Sequence, residues 1–248
     1  MKIRVYILCY DDHSERIATE QFDGFVWATV LKIPSSVYLE NCMYGFLLEQ
    51  LLKQESIPWD TYDYVGTLSW KAPSKIAIPD MDAVSRYLRV SDHDVVAFCF
   101  NASTLSLVTQ ASMTHRAFRS IWCELLDQLG MDAEDVDTKV RPFYCNYWIA
   151  KPSWLKKYIL FYMQAQLVLE THEPLQAALW SDSEYALSSL SSERCLKVFS
   201  RPYYPHHPFV CERLPSVFFT TQGARILYYT KPNEGVLRCM NGGKITIG

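Results

Sequence analysis

Short apolar runs alternate with amphipathic segments along most of this chain, and that alternation limits the folds open to it. Buried strands are predicted at 3–10 (IRVYILCY), 26–33, 64–69 (YVGTLS), 94–100 (DVVAFCF) and 143–149. Apolar residues at helical spacing predict helices between them, at 15–21, 36–55, 79–89, 114–129 and 152–170. Strands that alternate with helices form a mostly parallel or mixed sheet that is covered on both faces. The sequence therefore predicts an α/β fold.

The C-terminal part of the chain follows a different pattern. It is richer in Pro and Gly, and short strands are predicted at 217–221 (VFFTT), 226–230 (ILYYT) and 244–247 (KITI). The prolines of segment 201–209 (RPYYPHHPF) predict an ordered loop. We expect a single domain over residues 1–248, with a core to about 220 and a small irregular strand extension from 221 to 248.

Composition argues against several functional classes. The formal net charge is −3 and no polybasic run occurs, so nucleic acid is not expected as a partner. The eight cysteines are scattered singly without a CxxC pair, which is typical of reduced core cysteines. The sequence has neither a signal-peptide pattern nor an apolar run of roughly 18 residues that could span a membrane. We expect a cytoplasmic protein without a transmembrane segment.

Polar residues follow several of the predicted strands at the point where each strand ends. In open α/β sheets, ligands bind beyond the carboxyl ends of the strands. The segments at such positions are 9–12, 69–71, 101–104 and the loops around Asn146 and Glu212. The common GxGxxG and GxxxxGK[ST] signatures are absent. We therefore predict a ligand site at this edge that uses other residues.

Segment 208–219 (PFVCERLPSVFF) places two charged residues, Glu212 and Arg213, among apolar ones. A carboxylate in such surroundings is costly unless it has a partner or a task. Two interpretations follow from this. Glu212 is a catalytic group, or Glu212 and Arg213 form a buried ion pair that ties a helix to the sheet.

Four segments occur in an order found in one group of enzymes. They are 3–12 (IRVYILCYDD), 62–71 (YDYVGTLSWK), 146–158 (NYWIAKPSWLKKY) and 209–218 (FVCERLPSVF). Together they resemble the nucleotide-sugar glycosyltransferases of the GT-A type, in particular the capsular-polysaccharide and large-DNA-virus transferases that include the DUF4422 group. The resemblance covers residues 1–220 and departs from the pattern at two places. Trp70 and Lys71 stand where that group has two arginines, and Pro215 interrupts the helix expected after Arg213.

The resemblance implies a GT-A-like fold and an enzyme that moves a sugar from a nucleotide donor, expected to be a UDP-sugar, to a hydroxyl of a glycan or glycoprotein acceptor. The donor-binding residues that it implies are Cys9, Tyr10, Asp11, Asp12, Ser69, Trp70 and Lys71. The sugar or acceptor contacts are Asn101, Asn146, Trp148, His206 and His207. Glu212 takes the place of the general base, with Arg213 beside it, which favours inversion of configuration.

Each of these assignments has a structural alternative. Asp11 and Asp12 suit a solvated turn, Trp148 suits a core strand, and the histidine pair suits a stiff connector. Asp80 and Asp82 form an Asp-x-Asp triplet that would hold Mn²⁺ or Mg²⁺, because hard cations bind oxygen ligands. The same residues before an apolar-periodic run are also an ordinary helix start, so capping is the alternative.

Two other functional classes stay open at this point. A relative that keeps the fold would bind a sugar or nucleotide without catalysis. The 16 Tyr, 12 Phe and 7 Trp would also suit a protein that binds a partner through an aromatic surface. Thermal-shift screening with nucleoside diphosphates separates these classes, because a ligand at about 100 times its Kd stabilises a protein by roughly 2.7 kcal/mol.

Overall fold

The computed structural model describes residues 1–33, 38–53, 59–76, 78–99, 105–143, 145–185, 190–230, 238–241 and 244–247. The strands are β1 (Ile3–Cys9), β2 (Ala28–Lys32), β3 (Tyr64–Ser69), β4 (Val95–Cys99), β5 (Trp148–Ala150), β6 (Ile226–Thr230), β7 (Arg238–Asn241) and β8 (Lys244–Ile247). The helices are α1 (Asp12–Phe22), α2 (Met43–Leu52), α3 (Ala72–Ile76), α4 (Met81–Leu88), α5 (Leu107–Ser112), α6 (Phe118–Gln128), α7 (Ala133–Lys139), α8 (Pro152–Thr171), α9 (Glu173–Leu179), α10 (Ser192–Phe199), α11 (His207–Cys211) and α12 (Leu214–Thr221). Short 3-10 helices occupy Leu39–Cys42 and Trp59–Thr61.

Six of these strands form one mixed sheet in the order β2-β1-β3-β5-β4-β6. β1 is parallel to both β2 and β3, and β4 is parallel to β6. β5 lies antiparallel between β3 and β4 and joins the two parallel groups. The prediction of an α/β fold with a mixed, mostly parallel sheet is confirmed. β7 and β8 form a separate antiparallel pair.

Apolar clusters cover both faces of the sheet. Alternate side chains of β1 enter different clusters, since Leu8 joins one while Val5 and Ile7 join the other. Helices α2, α6, α8 and α12 contribute buried residues to the first cluster, and α1, α3 and α4 contribute to the second. Within the described residues, no helix has both the length and the apolar content to cross a bilayer.

The C-terminal region contains one element of the wrong type. Residues 217–221, predicted as a strand, belong to helix α12. Pro215 is at the second position of that helix, where the backbone N–H is not needed for an intrahelical hydrogen bond. The proline therefore begins a helix and does not interrupt one. Similarly, the predicted loop at 201–209 ends in helix α11, which starts at His207.

The strand predicted at 143–149 begins later than expected. Cys145 and Asn146 have φ angles of 65° and 56°, in the left-handed region, which an extended strand cannot contain. β5 therefore starts at Trp148, after this turn. The helix predicted at 36–55 has a 3-10 turn in its first part and becomes α2 only at Met43.

Gly66 allows the close contact between β3 and β5. A Cβ atom at this position would lie 2.5 Å from the Cα of Ile149 and closer still to the carbonyl oxygen of Trp148. Real Cβ atoms do not approach a backbone so closely, so glycine is required here by space and not by its φ angle. The contact keeps the two parallel groups of strands in one sheet.

We expect Gly66→Ala to lower the free energy of unfolding by at least about 1–3 kcal/mol, because backbone atoms of β5 cannot yield to the added methyl group. Gly45→Ala in α2 is the matched control, since its Cβ would meet nothing within 4 Å. Alanine is favoured over glycine in a helix by up to about 1 kcal/mol, so the control should be neutral or stabilising. Urea unfolding of both variants measures this, and equal stability of the two would contradict the packing account.

Candidate functional site

A cavity of about 370 Å³ opens at one edge of the sheet. Its walls come from the ends of β1 and β3, the start of β5, the first 3-10 helix and the segment around α11. The lining residues are Tyr10, Leu39, Glu40, Asn41, Ser69, Trp70, Lys71, Ser74, Lys75, Cys145, Asn146, Tyr185, Tyr204, Pro208, Phe209 and Glu212. Aromatic rings, two lysines and two carboxylates thus line one cavity.

The strand order explains why the cavity forms there. The chain passes from β1 to β2 on one side of it and then returns to β3 on the other. Loops that leave two adjacent parallel strands in opposite directions leave a crevice between them, and ligands of open α/β sheets bind in such a crevice. Tyr10 follows β1 and Trp70 follows β3, so both line the crevice.

The turn after β3 presents Lys71 to the cavity. The Ser69 hydroxyl accepts a hydrogen bond from the Lys71 N–H at 3.2 Å and lies 2.8 Å from the Tyr147 hydroxyl. The Lys71 ammonium lies 4.9 Å from the centre of the Trp70 ring. Burial lowers the pKa of Lys71, against the opposing effect of the Glu40 carboxylate. A bound anion would relieve that cost, because it would restore a counter-charge.

Lys75, one turn into α3, is the second cation. Its Nζ lies 3.1 Å from the sulfur of Cys145 and 5.9 Å from the centre of the Tyr147 ring. The charge that Cys145 carries once it ionises is the largest cause of the raised pKa of Lys75; burial opposes the rise, and Tyr147 and Glu212 add to it. Burial raises the pKa of Cys145 to about 11, so this cysteine is a thiol at neutral pH while Lys75 is an ammonium.

Glu212 and Arg213 form an ion pair at the back of the cavity. Nη1 of Arg213 donates to Oε1 of Glu212 at 2.8 Å and to the carbonyl oxygen of Phe209 at 2.6 Å. The arginine side chain is only 6% exposed and stacks on Phe118. The Arg213 Cζ atom lies 5.0 Å from the centre of the Phe118 ring. The structure therefore contains the ion pair that was the alternative to catalysis for Glu212.

Asn146 is a support of the cavity wall. Its Oδ1 accepts from the Tyr44 hydroxyl at 3.0 Å, its Nδ2 donates to Oδ1 of Asn41 at 3.0 Å, and its carbonyl oxygen accepts from Thr67. The residue is 2% exposed. These bonds hold the left-handed turn before β5 against α2, β3 and the first 3-10 helix.

Glu40 is the functional candidate that the sequence did not indicate. It was predicted inside a helix, where an isolated glutamate is ordinary. The structure places it in the 3-10 helix Leu39–Cys42, at the cavity wall. Burial raises the pKa of its carboxyl group, Lys75 and Lys71 oppose that rise, and Glu212 adds to it. An acidic residue one position after a buried leucine was the one available signal, and many surface helices share it.

Several predicted contacts lie away from the cavity, and the structure corrects them. Trp148 is fully buried and packs against Tyr158 and Phe219, so it cannot touch a sugar. His206 and His207 are each 1% exposed, and His207 stacks between Tyr38 and Trp180. Burial lowers the pKa of His207 to about 3. Cys9 is also fully buried, in the apolar cluster that α1, α3 and α4 cover.

The four predicted aspartates serve local structure. Asp11 caps α1 through the N–H of Ser14 and pairs with Arg194, beside a second recess near α10. Asp12 is almost fully exposed and pairs with Lys32.

Asp80 caps α4 by accepting from the N–H groups of Asp82 and Ala83 at 3.0 Å each. Neither Asp80 nor Asp82 is among the cavity residues. No group of three or more potential metal ligands occurs in the part of the chain that the structure describes. This geometry does not fit a metal centre at Asp80 and Asp82, and their metal role stays a prediction. Asn101 lies outside the described residues.

Comparison with known proteins identifies no relative of this chain. A scan against protein-family models, a search of curated proteins and a search of solved structures all find no match to this chain.

Tyr44→Phe tests the support around Asn146. The hydroxyl that it removes donates to a buried amide oxygen, and an unsatisfied buried acceptor costs about 1–3 kcal/mol. Tyr158→Phe is the comparison, because it removes a buried hydroxyl that makes no hydrogen bond to Asn146 from a ring that packs against Tyr44. We expect a lower midpoint of urea unfolding for Tyr44→Phe alone. Similar losses in both variants would contradict a specific role for the Tyr44–Asn146 hydrogen bond.

Proposed function

We propose that this protein is a glycosyltransferase that moves a sugar from a nucleoside diphosphate sugar to a hydroxyl group. The observation that carries the proposal is the cavity at the end of β1 and β3, where Lys71 and Lys75 face two carboxylates and several aromatic rings. This arrangement meets the needs of the reaction, because a diphosphate must be stabilised as it leaves and a proton must be removed from the acceptor. The order of the four segments, which resembles that of GT-A-type enzymes, supports the same proposal.

The donor is proposed to bind with its diphosphate at the two lysines. Both ammonium groups sit at the carboxyl end of the sheet, where the turn after β3 and the start of α3 meet. Tyr10 and Trp70, whose ring centres are 6.3 Å apart, offer apolar surface for a base or a sugar ring. A uridine diphosphate sugar is the donor that we propose, with a glycan or glycoprotein as the acceptor.

Within the reaction, the acceptor oxygen attacks the anomeric carbon while the bond from that carbon to the diphosphate breaks. Direct attack inverts the configuration at that carbon. A carboxylate of the cavity takes the proton from the acceptor hydroxyl, and the lysines meet the charge that develops on the leaving group. Asp80 and Asp82 do not line the cavity, and Asp80 caps α4 instead.

The alternative of an aromatic partner-binding surface has little support. Among the described aromatic residues, the most exposed is Phe25, at 37%. Trp59, Trp122 and Trp148 are buried in the core. A non-catalytic nucleotide-binding relative would share the cavity with an enzyme, and turnover is what separates the two.

Lys71→Ala and Lys75→Ala should each weaken binding of uridine diphosphate by about tenfold to a hundredfold, because each loses a charge-assisted contact of about 1.5–3 kcal/mol. Lys139→Ala, which removes an exposed lysine of α7 paired with Asp135, is the control and should bind as the wild type does. Isothermal titration calorimetry measures all three. Unchanged affinity in both cavity variants would remove the lysines from the donor site, and no binding to the wild type would refute the proposed function.

Glu212→Gln tests the role of the ion pair. The change leaves the buried Arg213 charged without its carboxylate, and breaking such a pair typically costs about 3–5 kcal/mol. We expect a lower melting temperature, with UDP release from UDP-sugars persisting within about tenfold at temperatures well below the transition. Turnover and melting are measured on the same preparation. An unchanged melting temperature with a hundredfold or larger loss of turnover would instead assign catalysis to Glu212.

A further inference from the structure

The cavity contains a second carboxylate, that of Glu40, whose backbone is held in an uncommon conformation. The preceding residue, Leu39, has a φ of 51°, in the left-handed region that an L-residue with a branched side chain rarely adopts. Leu39 and Asn41 are buried on either side, at 5% and 2% exposure, while Glu40 is partly exposed to the cavity. Strained backbone of this kind persists only where its surroundings hold it, and it is concentrated at functional sites.

Hydrogen bonds fix the segment that carries Glu40. Asn41 accepts from the side chain of Asn146 at 3.0 Å, and it donates to the carbonyl oxygens of Tyr38 at 3.2 Å and Pro208 at 3.4 Å. The 3-10 turn is thereby tied to the start of β5 and to α11. The carboxylate next to Asn41 is consequently presented to the cavity by buried, bonded neighbours and not by a loose surface turn.

Charged and titratable groups from every wall of the cavity act on Glu40. Burial raises the pKa of its carboxyl group, the ammonium groups of Lys75 and Lys71 lower it, and the carboxylate of Glu212 raises it again. The Glu40 charge in turn raises the pKa values of neighbouring groups. These are Cys9, Tyr10, Lys71, Tyr147 and Tyr204. The net direction of the shift in the pKa of Glu40 is upward.

Glu212 has a different environment. Its Oε1 accepts a hydrogen bond from the buried guanidinium of Arg213 at 2.8 Å, so this oxygen already has a partner in the protein. Two carboxylates in one cavity with such different partners are suited to different tasks. Glu212 anchors the wall, and Glu40 is the carboxylate available for chemistry.

We propose that Glu40 is the catalytic base of the sugar transfer, an inference that rests on the function proposed above. Its carboxylate takes the proton of the acceptor hydroxyl as the acceptor oxygen bonds to the anomeric carbon. The bond between that carbon and the diphosphate breaks, and its electron pair leaves with the nucleoside diphosphate, next to Lys71 and Lys75. The proton stays on Glu40 until the products leave and is then released to water.

Product binding provides a test that needs no acceptor. When uridine diphosphate enters the cavity, its negative charge should raise the proton affinity of Glu40 and reproduce the state after transfer. Calorimetry in buffers of different ionisation enthalpy measures the linked proton uptake. We expect the wild type to take up more protons than Glu40→Gln, by up to about one per ligand, and to bind relatively more tightly as the pH falls. Protons that the ligand itself binds are common to both proteins and cancel.

Glu49→Gln is the control for this experiment, because it neutralises an exposed carboxylate of α2 that pairs with Lys53 and does not line the cavity. It should keep the proton uptake of the wild type. Uptake that is equal in Glu40→Gln and the wild type, or that disappears in Glu49→Gln, would overturn the assignment to Glu40 and leave the donor site in place. Absence of uridine diphosphate binding to the wild type would overturn the transferase proposal and the role of Glu40 together.

Turnover supplies the second measurement. With UDP-glucose, UDP-galactose and UDP-N-acetylglucosamine as probes, and water or simple glycosides as acceptors, Glu40→Gln should release UDP about a hundredfold to ten-thousandfold more slowly than the wild type. Its affinity for uridine diphosphate should stay within tenfold, and the acidic limb of the pH–rate profile should be lost. Glu40→Asp should recover part of the rate. Full turnover in Glu40→Gln at neutral pH would refute the proposal.

Discussion

The sheet depends on a close contact between β3 and β5 at Gly66. β5 is only three residues long, yet it is the strand that joins the parallel group β2-β1-β3 to the pair β4-β6. Any side chain at position 66 would overlap the backbone of Trp148 and Ile149. Where this strand starts also decides where the cavity lies, because the left-handed turn at Cys145 and Asn146 comes directly before it.

The cavity balances opposing charges in a partly buried space. Two lysines and two carboxylates line it. Lys75 contacts the sulfur of Cys145, and Glu212 contacts Arg213. Lys71 and Glu40 influence each other across the cavity, and burial disfavours the charged form of both. An anionic ligand at the lysines would therefore alter the protonation of Glu40, which links binding to chemistry.

Aromatic residues serve the core more than the surface. Tyr44, Trp148 and Tyr158 pack together between the sheet and α8, with ring centres 4.9 to 6.4 Å apart. Tyr44 also donates to Asn146, so the same ring that fills the core supports the cavity wall. The high aromatic content, which suggested a binding surface, thus contributes to the site mainly through packing beneath it.

The local sequence pattern was sufficient to locate some of the strands and helices. β3 lies at Tyr64–Ser69 as predicted, and α8 begins at Pro152 as expected from a proline at the first helical position. The turn after β3 was also identified, because strand ends and their polar residues are visible in one dimension. Ser69, Trp70, Lys71 and Glu212 accordingly line the cavity that the strand-end rule indicated.

What the sequence determined by itself was the α/β class, the strand ends and the acidic and basic residues near them. Only the tertiary structure decided which of these residues meet. His207 and Trp148 carry the right chemistry for a sugar site, but packing buries both, and no local pattern reports burial by distant elements. Glu40 was missed for the converse reason. Its importance comes from Leu39, Asn41, Lys71 and Lys75, which long-range contacts and an unusual backbone angle bring around one carboxylate.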